Sequence, residues 1–336
     1  PYQKAPMNFL HARIPIGFVL IAIAVSSAAT ALVVKSHVKV IERVAAQGSC
    51  DVQLVRNGQY KLTKPLIMVD IPNESPVYAS LKGNIMSYLD DQKQKGLIRS
   101  AAVYFRDLNT GQWFSINEGE SYSPGSIMKL VTLECILKQA EANPGLLNKQ
   151  ILLKRHFSEL PEQTLFSKPM ETGKSYSVRQ LLESMIIHSN NDATALLNRE
   201  VDPKVFKSLF ESLQLRVPDM KDWDYQVNVF EVSKFMRVLY SSTFLFPSSS
   251  EFALDLLSRS DFKIGLVKEL PNDQLVAHKF GERFVEGDQQ LHETAIVYIG
   301  SSPFLLTVMT KGLDRTKLPD VLSTVGQMVQ SSRVNS

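Results

Sequence analysis

Cysteine is scarce in this 336-residue chain: Cys50 and Cys135 are the only two. Cys135 falls inside an apolar helical run and reads as a small buried hydrophobe, while Cys50 sits in linker-like sequence. So few thiols exclude a disulfide-rich scaffold and say nothing about compartment. Charge of one sign is also missing, because 37 Lys and Arg stand against 34 Asp and Glu, leaving a net charge of +3. Without like-charge runs there is no electrostatic footprint for nucleic acid. There is no low-complexity tract and no internal repeat. The chain has no Gly-x-Ser-x-Gly elbow, which argues against an α/β-hydrolase. His292-Glu293 lacks the second histidine of a zinc-protease helix, so neither a metal nor a cofactor is expected.

What is present divides the chain unevenly. Residues 1–13 are a short tail. Residues 14–34, Ile14 to Val34, are uncharged and strongly apolar, about the ~20 residues needed to span a bilayer as a helix. Ala29-Thr30-Ala31 resembles a small-residue cleavage site, but the run is longer than a signal-peptide core, which favours an uncleaved anchor and a lipid bilayer as partner. Lys4 and Arg13 precede this run and Lys35, Lys39 and Arg43 follow it, so flanking charge leaves the orientation open. A cytoplasmic N-terminus, with the globular domain outside a cell membrane, is chosen for the chemistry described below. Residues 35–74 read as a helical stalk, a hairpin around Asn57-Gly58 and a linker.

Residues 75–336 form the globular domain. Helical spacing runs from Val77 to Gln94 and stops at Gly96. Ala101 to Arg106 and Gln112 to Ile116 read as strands joined by a turn. A mainly helical middle follows, from Ile127 to about Leu257. Leu275 to Phe284, Leu291 to Tyr298 and Phe304 to Thr310 are strand-like, and Leu318 to Gln330 is a closing helix. This order predicts an α+β fold: a five-stranded antiparallel sheet built from two N-terminal and three C-terminal strands, flanked by helices and carrying an all-helical insert. Trp113 and Trp223 read as core or loop anchors.

Three short motifs carry the chemistry. Pro124-Gly125 introduces a helix that opens with Ser126 and Lys129, three residues apart and so on one face. A serine hydroxyl needs a nearby base, and a lysine held neutral by burial and neighbouring cations can serve. The helix N-terminus also presents N–H groups to a developing oxyanion. Ser189-Asn190-Asn191 lies in a polar loop between two helices, and Lys279-Phe280-Gly281 lies on a strand. Chance copies exist at Ser260-Asp261-Phe262-Lys263 and Ser115-Ile116-Asn117, but neither has this context. Taken singly, Ser189 and Asn191 also read as helix caps, as Asp192 does, and Lys279 as an edge-strand charge. His188 and His278 flank the motifs and are assigned to packing.

Ser-x-x-Lys, Ser-x-Asn and a Lys-x-Gly, in this order, resemble the penicillin-recognising serine enzymes, the serine β-lactamases and D-alanyl-D-alanine peptidases. Residues 185–197 resemble the helix–loop–helix passage of class A β-lactamase-like domains, and 292–298 with 304–309 resemble their last two strands. The resemblance implies roles. Ser126 is the acylated nucleophile, Lys129 its proton acceptor and Ser189 the proton relay to the leaving nitrogen. Asn191 holds the substrate amide or Lys129, and Lys279 attracts a substrate carboxylate. The N–H groups of Ser126 and Glu282 form the oxyanion hole, and Gly281 allows close approach of the substrate. The implied substrate is a small molecule or peptide, a peptidoglycan stem peptide or a β-lactam.

Two departures qualify this. Phe280 stands where the family has Thr or Ser, with Arg283 as a candidate replacement charge. The Glu-x-x-Leu-Asn loop that carries the deacylating glutamate of class A β-lactamases is absent from 217–228, where Asp222 or Asp224 would have to substitute. The expectation is a membrane-anchored serine hydrolase acting on peptidoglycan-type D-peptides. The alternatives are a class A-like β-lactamase and a catalytically impaired descendant that binds cell-wall or protein ligands.

Overall fold

A computed structural model describes residues 73–157, 168–219, 225–285 and 287–334, with short pieces at 39–40, 55–56 and 62. The apolar run 14–34, Cys50, the Asn57-Gly58 turn and the two candidate aspartates at 222 and 224 lie outside the described residues. Among those described, no helix is long and apolar enough to cross a membrane.

The expected sheet is present. Its strands are β1 (Ser100–Asp107), β2 (Trp113–Ile116), β3 (Val276–Val285), β4 (Asp288–Val297) and β5 (Phe304–Gly312), in the order β2-β1-β5-β4-β3 with every neighbour antiparallel. Strand alternation splits the side chains between two cores. Ala102, Tyr104, Ile296 and Met309 enter one cluster with the central helices. Val103, Phe105, Ala295 and Val308 enter another, with α1 (Ala79–Gln94) and the C-terminal α8 (Leu318–Val334). A sheet buried on both faces is thus the middle layer, and β3 is its edge nearest the motifs.

The helical insert comprises α2 (Lys129–Ala142), α3 (Val178–Ile187), α4 (Asn191–Asn198), α5 (Pro203–Ser212), α6 (Val229–Ser241) and α7 (Pro247–Ser258). Local chemistry sets several starts. Ser177 with Gln180, and Asn228 with Glu231, form capping boxes on α3 and α6. Asp202 caps α5 ahead of Pro203.

Three expectations change. The first turn bearing Ser126 is a 3-10 turn, Gly125–Met128, rather than the start of the α-helix. Because side chains at i and i+3 eclipse in that geometry, Ser126 and Lys129 are still stacked. Asp192 is not a helix cap. Asn190 caps α4 by accepting from the Ala193 amide, while Asp192 accepts from the Phe157 amide and pairs with His156. Lys39–Val40, expected in a helical stalk, are extended and pair with Val55–Arg56.

The domain also reaches further back than Ser75. Leu62 is buried in the helical-side core, its amide donates to the Glu251 carboxylate, and its carbonyl accepts from the Tyr298 hydroxyl. Cys135 is free and buried, as its helical context implied.

Candidate active site

The site lies between β3, the 3-10 turn and the start of α4. Gly125 takes a left-handed φ of +52°, and a Cβ there would sit 2.5 Å from the carbonyl oxygen of Glu282. Across the same seam, a Cβ on Gly281 would sit 2.3 Å from the Pro124 oxygen and 2.9 Å from the Ile127 nitrogen. Two glycines therefore let turn and strand touch main chain to main chain, and Ser126 is set beside Glu282.

Ser189 is the junction of the three motifs. It is fully buried and holds a left-handed φ of +53°, a conformation a non-glycine residue keeps only when its surroundings enforce it. The Lys129 ammonium donates to the Ser189 carbonyl, to its hydroxyl at 3.0 Å and to Asn191 Oδ1 at 2.9 Å. The Lys279 ammonium reaches the same hydroxyl at 3.0 Å and also donates to the Phe280 carbonyl. Ser126, next to Gly125 at the seam and three residues before Lys129, is half-buried.

Two buried amines around one hydroxyl determine the electrostatics. Burial holds Lys129 well below the ordinary lysine value, the neighbouring Lys279 charge pushes it lower, and the Glu282 carboxylate opposes both. Lys279 is lowered to about 7 by burial, against the pull of Glu282 and Glu293. The Glu282 carboxyl is raised by burial and held back by Lys129, Lys279 and Arg315. A lysine whose burial and neighbouring cation favour the neutral amine, one turn from a serine, is equipped to take up a hydroxyl proton.

The structure thus brings together Ser126, Lys129, Ser189, Asn191, Lys279, Gly281 and Glu282. Phe280 presents no hydroxyl to them: it stacks on Phe262, with ring centroids 4.2 Å apart, and its ring centroid also lies 4.2 Å from the Lys279 ammonium. Phe262 belongs to the chance Ser-x-x-Lys copy, which lies past the end of α7, and there the Ser260 hydroxyl accepts from the Phe262 amide. His278 lies beside Lys279 in sequence but on the Phe280 face, paired with the buried Glu293 at 2.7 Å, and His188 pairs with Asp261. No metal-holding cluster of His, Cys, Asp and Glu occurs among the described residues.

Sequence reasoning missed the scaffold. Asp192 tethers 156–157 and the Asn190 amide donates to the Lys168 carbonyl, so the second motif also anchors both ends of the segment between them. The polar pair Gln290 and His292, two residues apart on a strand, is the other omission. Its period-2 spacing was visible, but its target was not.

A fold with this sheet, this insert and these three motifs at one cleft defines a penicillin-recognising serine enzyme. Residues 85–331 match the model of the beta-lactamase enzyme family, and the chain belongs to that family. Among solved structures it is similar to a mutant of PBP-A in acyl-enzyme complex with penicillin G, at 20% identity, covering 79% of this chain and 100% of that one with a TM-score of 0.66. It is also similar to the TLA-3 extended-spectrum beta-lactamase, at 17% identity over 76% and 98% of the two chains with a TM-score of 0.66. A beta-lactamase from Chitinophaga pinensis gives 16% identity over 74% and 99% with a TM-score of 0.65. At these identities the structures share a fold. A search of curated proteins finds no match.

Proposed function

We propose that this protein is a serine hydrolase that forms an acyl-Ser126 intermediate on an amide and passes the acyl group to water, with peptidoglycan-type D-peptides as substrates. The observation that carries the reading is the Ser189 hydroxyl, held 3.0 Å from both the Lys129 and the Lys279 amines. The Ser126 hydroxyl attacks the substrate carbonyl and its proton passes to the neutral Lys129 amine. The main-chain N–H groups of Ser126 and Glu282 receive the oxyanion. The Ser189 hydroxyl hands the proton to the leaving nitrogen as the C–N bond breaks, and a water molecule then cleaves the ester. Asn191 holds Lys129 in place, and Lys279 keeps the cleft attractive to an anionic substrate.

A slow hydrolase of the peptidase kind is favoured over an efficient β-lactamase because 217–228 carries no Glu-x-x-Leu-Asn signature. Residues 14–34 would anchor the chain in the cell membrane, with the domain on the outer side.

The test uses the full chain in detergent, incubated with a fluorescent penicillin and with a reactive phosphonate, and read by intact-protein mass spectrometry. One adduct on the wild type and none on Ser126→Ala is expected. Steady turnover of a chromogenic cephalosporin would assign a β-lactamase instead. No adduct with either probe would assign a binding descendant.

A further inference from the structure

We infer that His292, on β4, is a positioning residue for the nucleophile: it holds the Ser126 turn against the sheet through the main-chain carbonyl of Ser123. The inference rests on the reading of Ser126 given above.

The 3-10 turn Gly125–Met128 has no side-chain cap of its own. A turn that opens without a cap leaves its orientation to its neighbours. Besides the β3 main chain at Gly281 and Glu282, those neighbours are β4 side chains. The Ser123 amide donates to Gln290 Oε1 at 3.0 Å, and the Ser123 carbonyl lies 3.1 Å from His292 Nε2. Gln290 is itself oriented, since its Nε2 donates to Asp288 at 2.7 Å. Two residues earlier, Lys311 on β5 donates to the Ser121 carbonyl.

The imidazole can donate in only one sense. Its Nδ1 accepts the main-chain N–H of Thr310 at 3.1 Å. A ring nitrogen that accepts an amide proton carries none, so the single proton of the neutral ring sits on Nε2, directed at the Ser123 oxygen. The ring is fully buried, and Tyr122 packs edge-on to it with centroids 5.3 Å apart. Tyr122 is fixed in turn by two main-chain bonds to Val227.

The register completes the argument. His292 lies directly across from Gly281, the residue whose bare Cα abuts Pro124 and Ile127. Imidazole, glycine and turn form one stack, with the strand that carries Glu282 on one side and the serine on the other. Tilting the turn would alter the spacing between the Ser126 and Glu282 amides. A misplacement of about 1 Å at a reacting centre costs on the order of 100-fold in rate.

The test compares His292→Leu, which removes the donor, with His292→Gln, whose side-chain amide restores one. Three readouts are taken on the full chain. The phosphonylation rate with a fluorescent phosphonate should fall roughly 10- to 100-fold in H292L, with the half-saturating probe concentration little changed, and recover most of that loss in H292Q. Hydrogen–deuterium exchange of the peptide spanning 120–128 should accelerate in H292L and not in H292Q. Nitrogen-15 spectra of the wild type should report an Nε2–H imidazole at neutral pH. Wild-type phosphonylation rates in H292L, equal losses in both variants, or an Nδ1–H tautomer would each overturn the inference. If the wild type takes up no probe, the Ser126 reading fails. The inferred role in positioning a nucleophile falls with it, and the exchange comparison then reports whether the His292 hold on the turn itself exists.

Discussion

Lys279 and Ser189 are 90 positions apart in sequence, yet the lysine ammonium donates to the serine hydroxyl at 3.0 Å inside the protein. Lys129 reaches that hydroxyl from a third segment. Ser189 is therefore where the electrostatics of the site are set, and charge changes around it should appear as shifts in the pH dependence of acylation.

Lys279 lowers Lys129 and Glu282 raises it. Lys129 works as a base only when neutral, so the acid limb of the acylation profile follows its pKa. Lys279→Met removes a repelling cation and should move that limb to higher pH. Glu282→Gln removes an attracting anion and should move it to lower pH. Stopped-flow acylation between pH 5 and 9 measures both, and shifts of the same sign would contradict the assignment of Lys129 as base.

The seam between the turn and β3 has no room for a side chain. Gly281→Ala would place a Cβ 2.3 Å from the Pro124 oxygen, forcing backbone apart at a cost of about 1–3 kcal/mol. Gly125→Ala adds the left-handed penalty of about 1–2 kcal/mol. Both variants should lower the urea midpoint and acylate far more slowly, whereas Gly83→Ala, with open space around it, should do neither.

Glu134 is fully buried in α2, and its carboxylate oxygens have no hydrogen-bond partner among the described residues. Burial raises its pKa well above the ordinary 4.5. A raised folded-state pKa means that the folded form holds its proton more tightly, so the pH-dependent part of this group's cost is absent below pH 4.5 and grows as pH climbs above it. Glu134→Met should therefore stabilise the protein at neutral pH by about 1–3 kcal/mol. Chemical denaturation at pH 4 and pH 7 checks this, and a gain that is the same at both would count against it.

The anchoring of Leu62 predicts that the autonomous domain starts before residue 62. Leu62→Ala should cost about 2–5 kcal/mol through the cavity it leaves. A chain beginning at Asn73 should melt lower than one beginning at Asn57. Glu251→Ala should cost the longer chain more than the shorter one, because the shorter chain lacks the Leu62 amide that donates to this carboxylate.

Much of the fold was legible because it rests on short-range pattern. The alternation of β3, β4 and β5, the helical spacing of α1 and the turn at Gly96 are properties of neighbours a few residues apart, and all of them match the observed elements. The three motifs were legible for the same reason, since each is a triplet or quartet whose chemistry is local. The chance copy at Ser260 shows the limit of such reading. It has the right letters and is set aside by its sequence context, and packing gives it another use, with Phe262 the stacking partner of Phe280.

The sequence by itself determined which side chains could do acyl-transfer chemistry and which elements carry them, since periodicity and residue type act over one or two turns of chain. Only the tertiary structure decided that Lys129 and Lys279 share one hydroxyl, that Phe280 stacks on Phe262, that Asp192 accepts from the Phe157 amide and that His292 meets the Ser123 carbonyl. Each of those depends on burial and on contacts between segments tens to hundreds of residues apart. Such contacts form when hydrophobic layers close over the sheet, and they have no signature in the spacing of neighbouring residues.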